Sequence, residues 1–175
     1  HVGDDLVPTW PSDGLQVNPN AILGQFNPKM VTSADGYLYY FWTEDIFFVG
    51  LRLFAQKYDI TGAAQWADGG LEIGPPDISG DTYVTSASAM ADSTVIYVWE
   101  SETVSGTKTY ISKLMQDGST LWTESVTEAT GSQRSSIATY NPESDMVTVG
   151  WEDHRNIVES SVDLYAVSVD SDGNL

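Results

Sequence analysis

The chain has 175 residues, of which 41% are hydrophobic and 11% aromatic, enough for a sizeable core and far too apolar for a disordered segment. Twenty-five acidic side chains against 7 lysines and arginines give a net charge of −18, which repels phosphate backbones and anionic lipid and excludes nucleic acid as a partner. Cysteine is absent and no apolar run reaches the length of a membrane-spanning helix, so disulfides, thiolate metal sites and direct membrane insertion by a helix are excluded. The partners that remain are cations, basic protein surfaces and neutral glycans.

In chain order, each of three units opens on a tryptophan. Trp10, Trp66 and Trp122 recur at intervals of 56 residues, and Trp42, Trp99 and Trp151 at intervals of 57 and 52. The first unit, with an N-terminal lead-in, spans residues 1–65, the second 66–121 and the third 122–175. Periodicity of this length is the mark of propellers and solenoids. Four segments superpose in each unit. After the first tryptophan come 14–17, 70–73 and the more divergent 125–128; then a weak strand at 29–33, 83–87 and 135–139. The strongest strand follows at 37–42, 94–99 and 146–151, and a last one at 53–58, 109–114 and 164–169. Each last strand runs into a glycine turn at Gly62, Gly118 or Gly173.

These segments are short, rich in β-branched and aromatic residues, and bounded by Gly, Pro, Asn, Asp and Ser. The strongest strand is apolar on both faces and is expected inside a sheet, packed between neighbours. The predicted fold is all-β: propeller-like blades of four short antiparallel strands in three tandem repeats of about 55 residues, forming an incomplete ring, since a ring needs about four blades or more. An open β-solenoid stack and a closed sandwich are the alternative arrangements. Further blades of the same protein, or other chains, are the partners that would complete it.

Trp151-Glu152-Asp153-His154-Arg155 followed by Asp163-Leu164-Tyr165-Ala166, and Phe54-Ala55-Gln56-Lys57-Tyr58-Asp59 with Gly62 and Trp66, carry a recognisable pattern. It resembles secreted bacterial propeller-like repeats with Trp-x-Asp-x-Arg, Tyr-Ala-Gln, a Gly turn and a Trp, as in large surface proteins of Bacteroidetes exported by the type IX pathway. Trp42-Thr43-Glu44-Asp45 and Trp99-Glu100-Ser101-Glu102 keep the acidic residues and lose the Arg. The resemblance implies a secreted or cell-surface location and an adhesive or structural role.

The acidic residues after the strongest strands are Glu44 and Asp45, Glu100 and Glu102, and Glu152 and Asp153. On equivalent loops along one rim they are candidates for Ca²⁺, which needs clustered oxygen ligands; solvated loops, with Asp153 holding Arg155, are the simpler reading. Trp42, Trp99 and Trp151 are expected as wedges between blades, and Tyr37, Tyr39, Tyr40, Phe47 and Phe48 as an aromatic patch facing a neighbour or ligand. Asp117-Gly118 and Asp172-Gly173 read as tight hairpin turns. The two histidines, His1 and His154, are too few for a three-imidazole zinc site, and a copper site on the terminal amine would need both. No carboxylate pair stands out for glycoside hydrolysis. The expected function is a non-catalytic extracellular binding or structural module; the alternative is part of a glycan-hydrolysing propeller enzyme whose catalytic residues lie mostly outside this segment.

Overall fold

The computed structural model describes residues 10–75, 80–158 and 161–175. These residues form the strands β1 (Gln25–Thr32), β2 (Leu38–Ile46), β3 (Gly50–Tyr58), β4 (Leu71–Glu72), β5 (Thr82–Ala89) and β6 (Val95–Thr103), then β7 (Gly106–Leu114), β8 (Thr120–Ser125), β9 (Gln133–Asn141), β10 (Met146–Asp153) and β11 (Asp163–Asp170). They make three antiparallel meanders, β1-β2-β3-β4, β5-β6-β7-β8 and β9-β10-β11. The fold is all-β and propeller-like, and the three sheets do not close into a barrel.

The sheets are phased differently from the Trp-to-Trp units. β4 pairs with β3 through Phe54↔Glu72 and Ala55↔Leu71, and β8 pairs with β7. The segment at the first tryptophan of a unit thus finishes the sheet before it. In the second sheet that strand is Thr120–Ser125, which contains Trp122, whereas the sequence placed it at 125–128. The cause is local: the turn around Gly118 (φ 90°) reverses the chain at once, so pairing begins directly after it.

Strand alternation divides the central strands cleanly. On β6, Val95, Tyr97 and Trp99 face the first sheet, where they pack with Tyr39, Phe41, Leu53, Ala55 and Ile73. Ile96 and Val98 point the other way and pack with Val147, Val149, Trp151 and Val169. β6 is therefore apolar on both faces because it is sandwiched, as its sequence predicts. Trp99 is fully buried and stacks on Tyr110 with ring centroids 4.4 Å apart. Trp42 and Trp151 are buried on the equivalent face.

The first tryptophan set locks turns. Trp10 lies against Gly62, Trp66 against Gly118 and Trp122 against Gly173, so that a Cβ on any of these glycines would meet the indole at 3.1–3.2 Å. Each glycine also has positive φ, which only glycine adopts cheaply. All three turns are further held by aspartates, the middle one by Asp117, which accepts from the Ser119 backbone N–H at 2.9 Å. Asp59 accepts hydrogen bonds from the backbone of Thr61 and Ala63, and Asp170 from that of Asp172 and Asn174.

β1, β5 and β9 are the inner edge strands and lie side by side. Edge strands leave backbone N–H groups without ladder partners. Here hydroxyls from the adjoining sheet accept them: Ala138 N–H donates to Ser86 Oγ (3.1 Å), Tyr140 N–H to Ser88 Oγ (3.2 Å) and Val84 N–H to Thr43 Oγ1 (3.4 Å). The small hydroxyl residues that make these strands look weak are what lets them pack so closely.

Candidate functional site

The six acidic candidates sit on the ends of the central strands, not in solvated loops, and three of them are buried. Glu44 Oε2 accepts from Trp42 Nε1 (2.9 Å), Asn18 Nδ2 (2.9 Å) and Gln25 Nε2 (3.2 Å). Asp153 is fully buried and accepts from Trp151 Nε1 (2.9 Å), from the Arg155 backbone and from the Arg155 guanidinium at 2.8 and 2.6 Å. Hydrogen bonds from Arg155 and Trp151 hold its carboxyl well below the usual carboxylate range, against the opposing effect of burial. Arg155 in turn lies 4.2 Å over the Tyr165 ring. The Asp153–Arg155 pairing is as the sequence suggests, but its carboxylate is buried and not solvated.

Glu44 and Asp153 thus clip the indole two residues earlier on their own strand. The second sheet has Ser101 at that position, and Trp99 Nε1 donates instead to Ser112 Oγ at 2.9 Å. Glu100 lies on the opposite face and reaches the third sheet, accepting from Ser136 N–H (2.9 Å) and Ser136 Oγ (2.8 Å). Asp45 and Glu152 are half-buried, and Glu102 is exposed. Among the described residues, no three carboxylate or imidazole side chains are placed to hold a metal ion. His1 lies outside the described residues, and His154 follows β10 with its Nε2 buried and without a hydrogen-bond partner among the described residues.

Of the aromatic patch, Tyr39 is buried, and burial, with Asp35 nearby, pushes its hydroxyl up to about 12. Phe47 and Phe48 are exposed at the β2–β3 turn and pack on each other with centroids 4.0 Å apart.

What the strands do bring together is a cleft of about 540 Å³ on the inner strands. β1 contributes Asn27 and Lys29, β5 Tyr83, Val84 and Thr85, and β9 Arg134, Ser135, Ser136 and Ile137; Glu100, Glu102 and Thr107 close its outer side. All three inner strands break register beside the tryptophan of their central strand: between Phe26 and Lys29, between Val84 and Ser86, and between Arg134 and Ile137. Residues of all three bulges line this one cleft. Asn27 (φ 53°) and Ser135 (φ 55°) hold left-handed conformations there, an uncommon state for residues with a Cβ. Bulges re-aim side chains and are enriched beside active sites.

Serines and threonines knit the floor. Thr85 Oγ1 and Ser136 Oγ lie 2.8 Å apart, and Thr85 Oγ1 also donates to the Val98 carbonyl at 3.1 Å. Glu100 is therefore fixed into the wall, whereas Glu102, two residues on and on the same face, remains exposed at the rim. Burial, with Glu102 and Asp81 nearby, raises the Tyr83 hydroxyl. The cleft thus offers one accessible carboxylate, one phenol, several hydroxyls and two cations. Sequence reading missed it except for Glu100 and Glu102. Its one local signal is Asn27-Pro28 inside a strand-like run, since proline in a strand marks an edge or a bulge.

No family model matches the chain, and no curated protein matches it either. Solved structures do. The endo-arabinase from Bacteroides thetaiotaomicron VPI-5482 superposes with a TM-score of 0.54 at 14% identity, over 83% of this chain and 56% of that one. The alpha-L-arabinanase of Penicillium chrysogenum, solved with arabinobiose, gives 0.53 at 13% identity, over 91% of this chain and 48% of that one. The chain spans about half the length of each. At such identity the likeness establishes the fold. It also corrects the expectation of a non-catalytic module, which rested on the lack of a recognisable carboxylate pair: the architecture is one that these enzymes use.

Proposed function

We propose that this chain is part of a glycan-hydrolysing enzyme of propeller type, and that the inner-strand cleft is where it contacts saccharide. The observation that carries the reading is the convergence of three bulges, one from each sheet, on a single cleft. A second support is the resemblance in fold to two arabinan-directed enzymes, one of them solved with arabinobiose.

Glycoside hydrolysis uses two carboxylates, one to protonate the leaving oxygen and one to activate water or attack the sugar. Glu102 is the candidate for proton transfer, because its carboxylate is accessible at the rim. Glu100 is committed to Ser136 and shapes the wall. The second carboxylate comes from outside these three sheets, from further blades or another chain. Export to the cell surface, expected from the resemblance to secreted repeats, belongs to the same proposal, since polymeric glycans are met outside the cell.

The test uses the complete protein, with reducing-sugar release measured on arabinan, xylan and cellulose. Glu102→Gln is expected to lower kcat at least about 100-fold with little change in KM, as loss of a general acid or base does. Undiminished turnover in that variant would remove Glu102 from the mechanism, and no turnover on any glycan would remove the reading as a whole.

A further inference from the structure

The cations of this chain are few, and their commitments can be followed one by one. Arg52 donates to the carbonyls of Leu51, Gly80 and Val49. Lys57 sits 4.0 Å over the Tyr37 ring. Lys108 donates to the carbonyls of Ala129 and Gly131, and Lys113 to that of Ser171 while pairing with Asp92. Arg155 is bound to Asp153. Five of the seven are thus consumed in holding the fold.

The remaining two, Lys29 and Arg134, have no hydrogen bond, ion pair or ring contact among the described residues, and both line the inner-strand cleft. They arrive from different sheets, Lys29 on β1 and Arg134 on β9. In a chain of net charge −18, two cations in one cleft offset the carboxylates of Glu100 and Glu102 that line it, so the cleft is less negative than the chain as a whole. Glu152, cross-strand from Arg134, lies on the neighbouring strand and forms no salt bridge with it.

We infer that the cleft selects a saccharide bearing a carboxylate, a uronic acid residue, with Arg134 and Lys29 as its anion-recognising groups. This rests on the glycan reading of the same cleft and narrows its substrate class. Guanidinium matches a carboxylate with two parallel N–H···O bonds, and Lys supplies a point charge beside it. The ring hydroxyls of the sugar meet the surrounding polar set: Tyr83, Thr85, Thr107 and Ser135 supply hydroxyls that donate or accept, and Glu102 accepts.

The experiment is a calorimetric titration of the protein with trigalacturonic acid, its fully methyl-esterified form and a sulfated galactose oligomer, in chelator so that no divalent ion bridges. The ester keeps the sugar rings and removes the charge. The acid is expected to bind at least about 10-fold more tightly than the ester, the size of a charge-assisted hydrogen bond set. Arg134→Gln and Lys29→Gln, both without a hydrogen bond or ion pair among the described residues and so expected to fold normally, should each erase most of that difference. Equal affinity for acid and ester, or a preference unaffected by both variants, would overturn the inference while leaving the glycan reading intact. A sulfated oligomer binding as tightly as the acid would overturn the carboxylate assignment. Absence of binding by every saccharide would defeat both.

Discussion

Replacing Asp153 by alanine isolates the most heavily bonded buried carboxylate among the described residues. The carboxylate is fully buried, and its loss strands the Trp151 indole N–H and removes the salt-bridge partner of Arg155. Breaking one half of a buried pair costs about 3–5 kcal/mol; Arg155 retains some exposure, so the lower half of that range is expected at pH 7. The pH dependence gives a sharper test. Because the folded-state pKa is depressed, this stabilisation is complete above the unfolded value near 4 and is lost as pH falls through the folded one. Below about pH 4 the wild type should lose stability relative to Asp153→Ala at up to about 1.4 kcal/mol per pH unit. Urea unfolding midpoints at pH 7, 5, 4 and 3 measure both quantities. A deficit that is already small at pH 7, or that stays constant down to pH 3, would refute the claim that Asp153 is held as a buried, bonded anion.

Other substitutions probe the remaining devices. Gly118→Ala would place a Cβ 2.3 Å from Leu71 Cδ1 at a positive φ, and should cost about 2–3 kcal/mol in urea unfolding; the exposed Gly36, with open space around it, should cost less. Ser136→Ala removes one hydrogen bond from buried Glu100 and should destabilise by about 1–2 kcal/mol, with no further loss when combined with Glu100→Gln. Tyr39→Phe deletes a buried hydroxyl that has no partner and should leave stability unchanged or raise it by about 1 kcal/mol; a clear loss would mean that the hydroxyl is bonded.

Much of the fold was legible because it is carried by side-chain periodicity. The tryptophan spacing located three units, and the two-sided apolar character of Val95–Trp99 announced a sandwiched central strand. The turns at Gly62, Gly118 and Gly173 followed from glycine itself. The phase of the sheets was hidden, since pairing of Leu71–Glu72 with β3 depends on which neighbour a strand joins, and local sequence does not encode that choice. The cleft was hidden for a related reason. Lys29, Tyr83, Arg134 and Ser135 are ordinary residues of weak strands, expected to begin at 29, 83 and 135. The structure carries those strands back to 25, 82 and 133, which takes in Asn27 and Arg134, and only their side-by-side packing makes one site of them. The acidic residues misled in the opposite sense. Glu44 and Asp153 look like solvated ligands in sequence, yet they are spent on the indole two residues before them.

The most direct test of the central claim, that the bulged inner-strand cleft contacts saccharide, is an NMR titration of the protein with neutral and carboxylated trisaccharides. Saturable shifts are predicted at the amides of Thr85, Arg134, Ser135 and Ile137, with the turns at Phe47–Phe48 and Asp59 unmoved. Shifts confined to those turns, or no saturation with any saccharide, would contradict it.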